Sequence, residues 1–308
     1  MKRSIDREIV ERLERLGSVR IDEPMRNHTS FRTGGTADIF IYPNNHDSMR
    51  GIALLAREKL IPLTVIGGGS NLLVSDKGIR GIVARLSEDG VINGRIEIQR
   101  DGLVYADSVK KKEDFINFCI DHNFEGMEFM AGIPGCIGGG IIMNAGTILG
   151  NFADILKNVA YIDNAGEMRI EEVSKETAGY RTLGFEDAVI ILGGFFKLSA
   201  AENIDDVKER IRDIIDDRKE KHPLDYPSAG SVFKNPPGYC SWELVDDAGL
   251  KGMRVGGAVV SHLHTNFIIN TDNASSSDIL NLIDIIKEKV YLKYNIKLET
   301  EIKMIGEF

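Results

Sequence analysis

The sequence predicts an α+β fold laid out in three successive regions. Between residues 37 and 86 a strand, a helix, a strand, a glycine turn and a further strand follow one another as a compact α/β unit. Between 87 and 217 the pattern changes to paired alternating segments around Asp101-Gly102 and Asn164-Ala165-Gly166, which signals hairpins and a mainly antiparallel sheet. A third region follows Pro223, where short apolar runs precede a capped helix. At 308 residues the chain lies at the edge of what one core supports, so domains are expected at 1–86, 87–217 and 218–295.

The elements follow in order. Ile9, Val10, Leu13 and Leu16 recur at helical spacing, and Gly17 ends that opening helix. A polar loop, Asn27 to Gly35, leads to a strand at Ala37 to Tyr42, and Asp47 to Leu60 reads as a helix with Met49, Ile52, Ala53, Ala56 and Leu60 on one face. Strands at Leu63 to Ile66 and Ile82 to Leu86 flank the first glycine turn. In the second region Ile96 to Gln99 pairs with Leu103 to Ala106, and a helix burying Phe115, Ile116, Cys119 and Ile120 follows. Val159 to Asp163 and Met168 to Glu171 form the second hairpin, and the glycines of Ala188 to Leu198 suggest a bulged strand. A charged helix spans 203 to 221 with Ile204, Val207, Ile211, Ile214 and Ile215 on one side. Strands are expected at Val255 to Ser261, Asn266 to Asn270 and Leu298 to Ile305, and Ser275-x-x-Asp278 caps the last helix.

Composition excludes several classes. Hydrophobic residues at 43% and charged residues at 28% are those of a globular protein. A net charge of -9 argues against nucleic-acid and anionic-membrane surfaces, so any anionic ligand must be held by a local arrangement. Neither a secretory signal nor a run of roughly 18 apolar residues is visible, and a cytoplasmic protein is expected. Cys119, Cys136 and Cys240 are scattered and fit buried free thiols. His262 and His264 alternate on a strand without a third ligand, so no metal is expected.

Two glycine-rich runs stand out. Ala131 to Gly146 holds six glycines in sixteen residues, and Ile66-Gly67-Gly68-Gly69-Ser70-Asn71 has the same character. Exposed amides with Ser70 and Asn71 as neutral donors could hold a dinucleotide's pyrophosphate, although neither run is Gly-x-Gly-x-x-Gly or a P-loop. Tight turns and close strand contacts would explain one such run equally well, but two together favour a ligand. Beside them lie three polar groups: Tyr180-Arg181, the serine, lysine and asparagine of Gly230 to Pro236, and Glu299 with Glu301 on one face of the last strand.

Taken together, Val65 to Leu73, Ala131 to Gly139, Tyr180-Arg181, Gly230-Ser231-Val232-Phe233-Lys234-Asn235-Pro236 and Leu298 to Glu301 resemble the flavin-dependent UDP-N-acetylenolpyruvoylglucosamine reductases, the MurB family. The resemblance runs from about Asn27 to Ile305. It implies an FAD-binding fold of the vanillyl-alcohol-oxidase type, two α+β domains holding FAD and a third meeting a UDP-sugar, with the strand in 296–308 returning to the first domain. It further implies NADPH as hydride donor and a monomeric enzyme, with no nucleic-acid or membrane partner.

Residue by residue, the resemblance makes Arg181, Ser231 and Glu301 catalytic. Arg181 would grip the carboxylate, Glu301 would support it, and Ser231 would protonate the carbanionic carbon with Lys234 nearby. Ile66, Gly67, Gly68, Gly69, Ser70, Asn71, Leu72, Ala131, Gly132, Pro134, Gly135, Gly138, Gly139, Asn144, Gly146 and Arg218 would contact the cofactor. Tyr180, Lys221, Lys234 and Asn235 would contact substrate. Two departures are visible: Leu183 stands where the family's Tyr-Arg motif has serine, and the third region is short, as in the compact type without the inserted loop that covers the nucleotide. Another flavoprotein of this fold acting on a hydroxy acid or lactone, and a non-catalytic FAD or UDP-sugar binder, are the alternatives.

Overall fold

A computed structural model describes residues 6–86, 94–174, 176–185 and 188–308. The chain divides into two compact units, one of residues up to Arg20, Ile39–Gly68 and Gly81–Asp217, the other of Ile21–Asp38, Gly69–Arg80 and Arg218–Phe308. The segment 1–86 thus contributes to both, and the junction drawn after Leu86 enters residues 87–93, outside the described residues.

In the first unit, helix Arg7–Glu14 starts at Asp6, whose carboxylate accepts from the Glu8 amide at 2.9 Å. Helix His46–Glu58 is capped likewise by Asn45, and it buries Met49, Ile52, Leu55 and Ala56 against Ile39, Ile41, Ile82 and Ala84. Strand Leu63–Ile66 runs parallel to Ile79–Arg85, register Ile66 to Arg85, which sets the first glycine turn at a strand's carboxyl end. Leu60 does not belong to the helix's buried face: it follows the helix end with φ 52° and is 90% exposed, because the left-handed turn into Pro62 points it outward.

The unit's second layer is a five-stranded antiparallel sheet ordered Met168–Glu172, Leu156–Asp163, Ala188–Phe196, Val104–Asp107, Ile96–Ile98. Its central strand carries a bulge: Ala160 pairs with Gly193 and Tyr161 with Ile191, skipping Leu192, where the sequence suggested an irregularity. Helices Lys112–Asp121 and Ile204–Lys221 pack Phe115, Ile116, Cys119, Val207 and Ile211 into the core with Phe129, Phe152 and Phe196, while Ile120, Ile204, Ile214 and Ile215 are half-buried.

In the second unit, Lys303–Ile305 pairs in parallel with Leu72–Val74, register Leu73 to Met304. Only these three residues of the alternating Leu298 to Ile305 segment form a strand, since Phe233 and Thr300 meet in a single bridge instead of a ladder. The run expected as one strand at Val255 to Ser261 is two, Arg254–Val255 and Ala258–Val260, folded back at Gly256-Gly257, where Gly256 takes φ 52°. Helix Ser241–Asp247 and strand Gly17–Pro24 had no clear periodic signal.

Helix Ser276–Tyr294 forms the predicted capping box, Asp278 N donating to Ser275 Oγ at 3.0 Å and Ser275 N to Asp278 Oδ2 at 2.9 Å. Asp76 adds a second cap, accepting from the amides of Ser276 and Ser277, each at 2.8 Å, and from Ser277 Oγ at 2.7 Å. Burial pushes the Asp76 carboxyl up, but the bonds from Ser277 and Ser276 outweigh it and hold it below the ordinary carboxylate range. A depressed folded-state pKa stabilises the fold above the unfolded value, about pH 4, and that contribution is lost as pH falls through the folded value. Asp76→Ala is expected to cost about 1 kcal/mol at pH 7. Urea unfolding of both proteins at pH 7 and pH 3 checks it: the gap narrows at the lower pH, and an equal gap at both excludes the charged cap.

Candidate active site

The first unit brings the two glycine runs together. A Cβ on Gly68 would lie 3.1 Å from the Gly135 Cα, and one on Gly67 would overlap Cys136 Sγ, so these glycines are required by the contact between the turns themselves. The 131–146 run is in turn zipped to the segment before helix Lys112–Asp121. Gly138 N donates to Ser108 O at 2.9 Å, Ile137 N to Lys110 O at 2.8 Å and Lys112 N to Gly135 O at 3.3 Å. A short helix that sequence periodicity did not show, Ile137–Ile142, starts there.

The glycines of this run serve different ends. Gly132 and Gly135 hold φ 69° and 99°, Gly138 packs on Ser108, and Gly140 leaves room for the Phe152 ring. Gly139 has none of these reasons. It is exposed, its φ is ordinary, a Cβ would meet only Cys136 Sγ at 3.8 Å, and its amide donates to no backbone carbonyl among the described residues. Ala131 is buried, whereas Pro134 is exposed.

Arg181 and Tyr180 are held against the same run. Asn144, φ 38°, donates from Nδ2 to Gly179 O at 3.0 Å and accepts at Oδ1 from Ala153 N at 3.0 Å, while Arg181 Nη1 donates to Gly146 O at 3.2 Å. The guanidinium lies 4.9 Å from the centre of the Tyr180 ring. Arg181 itself takes φ 63°, a conformation costing roughly 1 kcal/mol or more that persists because its surroundings fix it. Leu183 is buried in the core with Tyr161 and Phe196, so that position serves packing.

The second unit gathers Asn71, Ser231 and Glu301. Gly69 takes φ 70°, and a Cβ there would overlap His28 O; next to it Ser70 and Asn71 are half-buried and Leu72 opens its strand. Asn71 Nδ2 donates to Glu301 O at 3.2 Å and Asn71 O accepts from Lys303 N at 2.9 Å. Glu301 N donates to Val232 O at 2.7 Å, and Ser231 bridges Phe267 on the other side. Asn266 locks this segment, its amide bonding Phe233 N and Phe233 O, each at 2.9 Å. Nothing local in the sequence marks Asn266, because its partner is 33 residues away.

Other predicted residues are employed elsewhere or lie at edges. Lys234 Nζ pairs with Glu299 Oε2 at 3.2 Å, and Asn235 Oδ1 accepts from Ser241 N at 2.9 Å, capping the next helix. Arg218 is half-buried and Lys221 exposed in the last turn of their helix. His264 meets Phe267 edge to face, ring centres 4.9 Å apart, and burial holds its imidazole below the ordinary value, while His262 packs on Gly252. Among the described residues no group of three His, Cys, Asp or Glu side chains gathers as a metal site. No helix among them is long and apolar enough to cross a membrane. A hollow of about 690 Å³ lined by Arg26, Arg32 and Ser275 also opens in this unit, but Asp76 already occupies the helix end there.

Comparison with known proteins gives this geometry a context. Residues 37–170, which contain both glycine runs, match an FAD binding domain family, and residues 222–305 match the family UDP-N-acetylenolpyruvoylglucosamine reductase, C-terminal domain. The UDP-N-acetylenolpyruvoylglucosamine reductase of Clostridium botulinum (strain 657) is 42% identical over 291 residues, 94% of this chain and 93% of the relative. The chain belongs to the UDP-N-acetylenolpyruvoylglucosamine reductase family. A reductase from Caldanaerobacter subterraneus is 40% identical over 94% of this chain and 95% of its own length. The crystal structure of the Thermus caldophilus reductase (MurB) superposes with a TM-score of 0.79 at 27% identity, over 94% of this chain and 99% of that one. Phl p 4, a grass pollen allergen with glucose dehydrogenase activity, shares the fold alone, with a TM-score of 0.50 at 14% identity over 62% of this chain and 44% of that one. The fold is α+β, with an FAD-binding part of the vanillyl-alcohol-oxidase type.

The reductase chain's residues fit a flavin nucleotide. Gly139 offers an exposed amide with open space beside it, on a run held rigid by its own hydrogen bonds. Ser108 Oγ, buried beside Gly138, has no partner among the described residues. Because the Gly67 contact is with one sulfur, it is separable: Gly67→Ala is expected to destabilise by about 1–3 kcal/mol as an overpacking change, and Cys136→Gly in that background should restore much of the loss. A double-mutant cycle by chemical unfolding measures the coupling, and purely additive effects would remove the contact.

Proposed function

We propose that the chain catalyses the NADPH-dependent, FAD-mediated reduction of the enolpyruvyl group of UDP-N-acetylenolpyruvoylglucosamine to UDP-N-acetylmuramate, a step of bacterial peptidoglycan synthesis. The observation that most supports it is the match to reductases of that name over 93–95% of their length, with the motif residues Asn71, Arg181, Ser231 and Glu301 all present. In this reading 1–86 with 296–308, and 87–217, hold the cofactor, while 218–295 meets the sugar nucleotide. The enzyme works as a monomer in the cytoplasm.

FAD held in the cofactor site would supply the hydride-transfer chemistry that links NADPH to the terminal carbon of the enol ether. The chain's own residues manage charge and protons. Ile66 to Leu72, the backbone of Ala131 to Gly146 and Arg218 hold the cofactor. Tyr180, Lys221 and Asn235 bind substrate, with Lys234 steadied by Glu299. Adding hydride to the terminal carbon drives electron density onto the neighbouring carbon and its carboxylate, so the transition state resembles an enediolate. Arg181, fixed in its strained backbone by Gly146 and Tyr180, meets that carboxylate with a planar guanidinium already in place.

Ser231 Oγ–H then donates a proton to the carbanionic carbon, completing the addition of hydrogen across the double bond, and recovers a proton from water. Glu301, anchored through its backbone to Val232 and Asn71, supports the carboxylate end. Ser231→Ala separates the two halves of the reaction. NADPH should bleach the flavin at the wild-type rate, while reoxidation by substrate slows about 100- to 10,000-fold, the range of a lost general acid. Anaerobic stopped-flow absorbance reads both. Reoxidation at the wild-type rate would exclude Ser231 as the proton donor.

A further inference from the structure

Lys112 is a charged residue with only 4% of its surface exposed. Burying an ammonium is unfavourable unless something receives it. Its Nζ donates to Pro134 O at 2.7 Å, within the glycine run, and its own amide donates to Gly135 O at 3.3 Å. The run makes room for the side chain: a Cβ on Gly140 would lie 3.0 Å from Lys112 Cε. Residues 131–146 contain no lysine or arginine. The segment zipped to them does, as Lys110-Lys111-Lys112, and Lys112 is the member turned inward while Lys111 is exposed.

We propose that Lys112 is a positioning residue for the flavin site: its buried ammonium fixes the Pro134 carbonyl and supplies the positive charge that the glycine run lacks for an anionic dinucleotide. The inference rests on the reading of that run as the seat of FAD. A charge enclosed in protein is little screened by salt and acts on its surroundings more strongly than one in water. Fixing one carbonyl at the run's bend also holds the amides that follow it in their orientation. Lys112 acts through the backbone and the local field, and it takes no part in hydride or proton transfer.

The test uses the full-length protein stripped of flavin, with FAD as the probe and flavin fluorescence as the readout. Lys112→Met keeps the length of the stem and removes the charge, and Lys112→Gln keeps a donor without the charge, so either carries the reading if the other does not fold. Both are expected to bind FAD at least tenfold more weakly. At saturating FAD, kcat should stay within threefold of wild type, and the unfolding midpoint of the flavin-free protein within a few degrees. A dissociation constant for FAD within twofold of wild type in a folded variant overturns the inference, as does a lowered midpoint with unchanged FAD affinity, which marks a structural role only. A wild-type chain that binds no FAD refutes the flavin reading itself, whereas a wild-type chain that binds FAD as tightly as its variants do refutes only the role of Lys112.

Discussion

The site depends on one close contact, the approach of Gly68 to Gly135 with Gly67 against Cys136. A side chain at Gly67 or Gly68 would hold the two loops apart, so the first turn and the long run can share a surface only because these two positions are glycine. Hydrogen bonds from 135–138 to Ser108, Lys110 and Lys112 stop the run from relaxing once it is in place. What remains outward is Gly139, whose amide donates to no backbone carbonyl among the described residues. A polar group left without a partner inside the protein, and turned to its surface, is what a ligand can satisfy.

The residues proposed to act on substrate are held by hydrogen bonds to main-chain groups. Arg181 is tied through Gly146 O and through Asn144 to Gly179 O, and Glu301 is tied through its N–H and C=O to Val232 and Asn71. Asn266 stitches the serine segment at Phe233 by both ends of one amide. Such clamps explain how a left-handed arginine is tolerated at position 181.

Much of this was legible in the sequence, for identifiable reasons. Hairpins announced themselves because Asp101-Gly102 and Asn164-Ala165-Gly166 are turn sequences between alternating residues, and Ser275-x-x-Asp278 closes the box its spacing implies. The glycine runs were conspicuous in density but not in detail, since the distinction between Gly68, packed on a neighbour, and Gly139, left open, depends on what folds beside them. Helix Ile137–Ile142 was hidden because three glycines carry no periodicity. Leu60 and the broken strand at Gly256-Gly257 misled because an apolar residue or run keeps its pattern past the turn that ends the element. Asn266, Asp76 and Lys112 were invisible because each acts on backbone distant in the chain or outside any motif.

Amide hydrogen exchange with and without FAD tests most directly that the glycine run is the flavin's seat. In flavin-depleted protein, Ile137 and Gly138 should already exchange slowly, since Lys110 O and Ser108 O accept from them, while Gly139 exchanges fast. On saturation with FAD the Gly139 amide should become strongly protected. Exchange at Gly139 that FAD leaves unchanged would contradict the account.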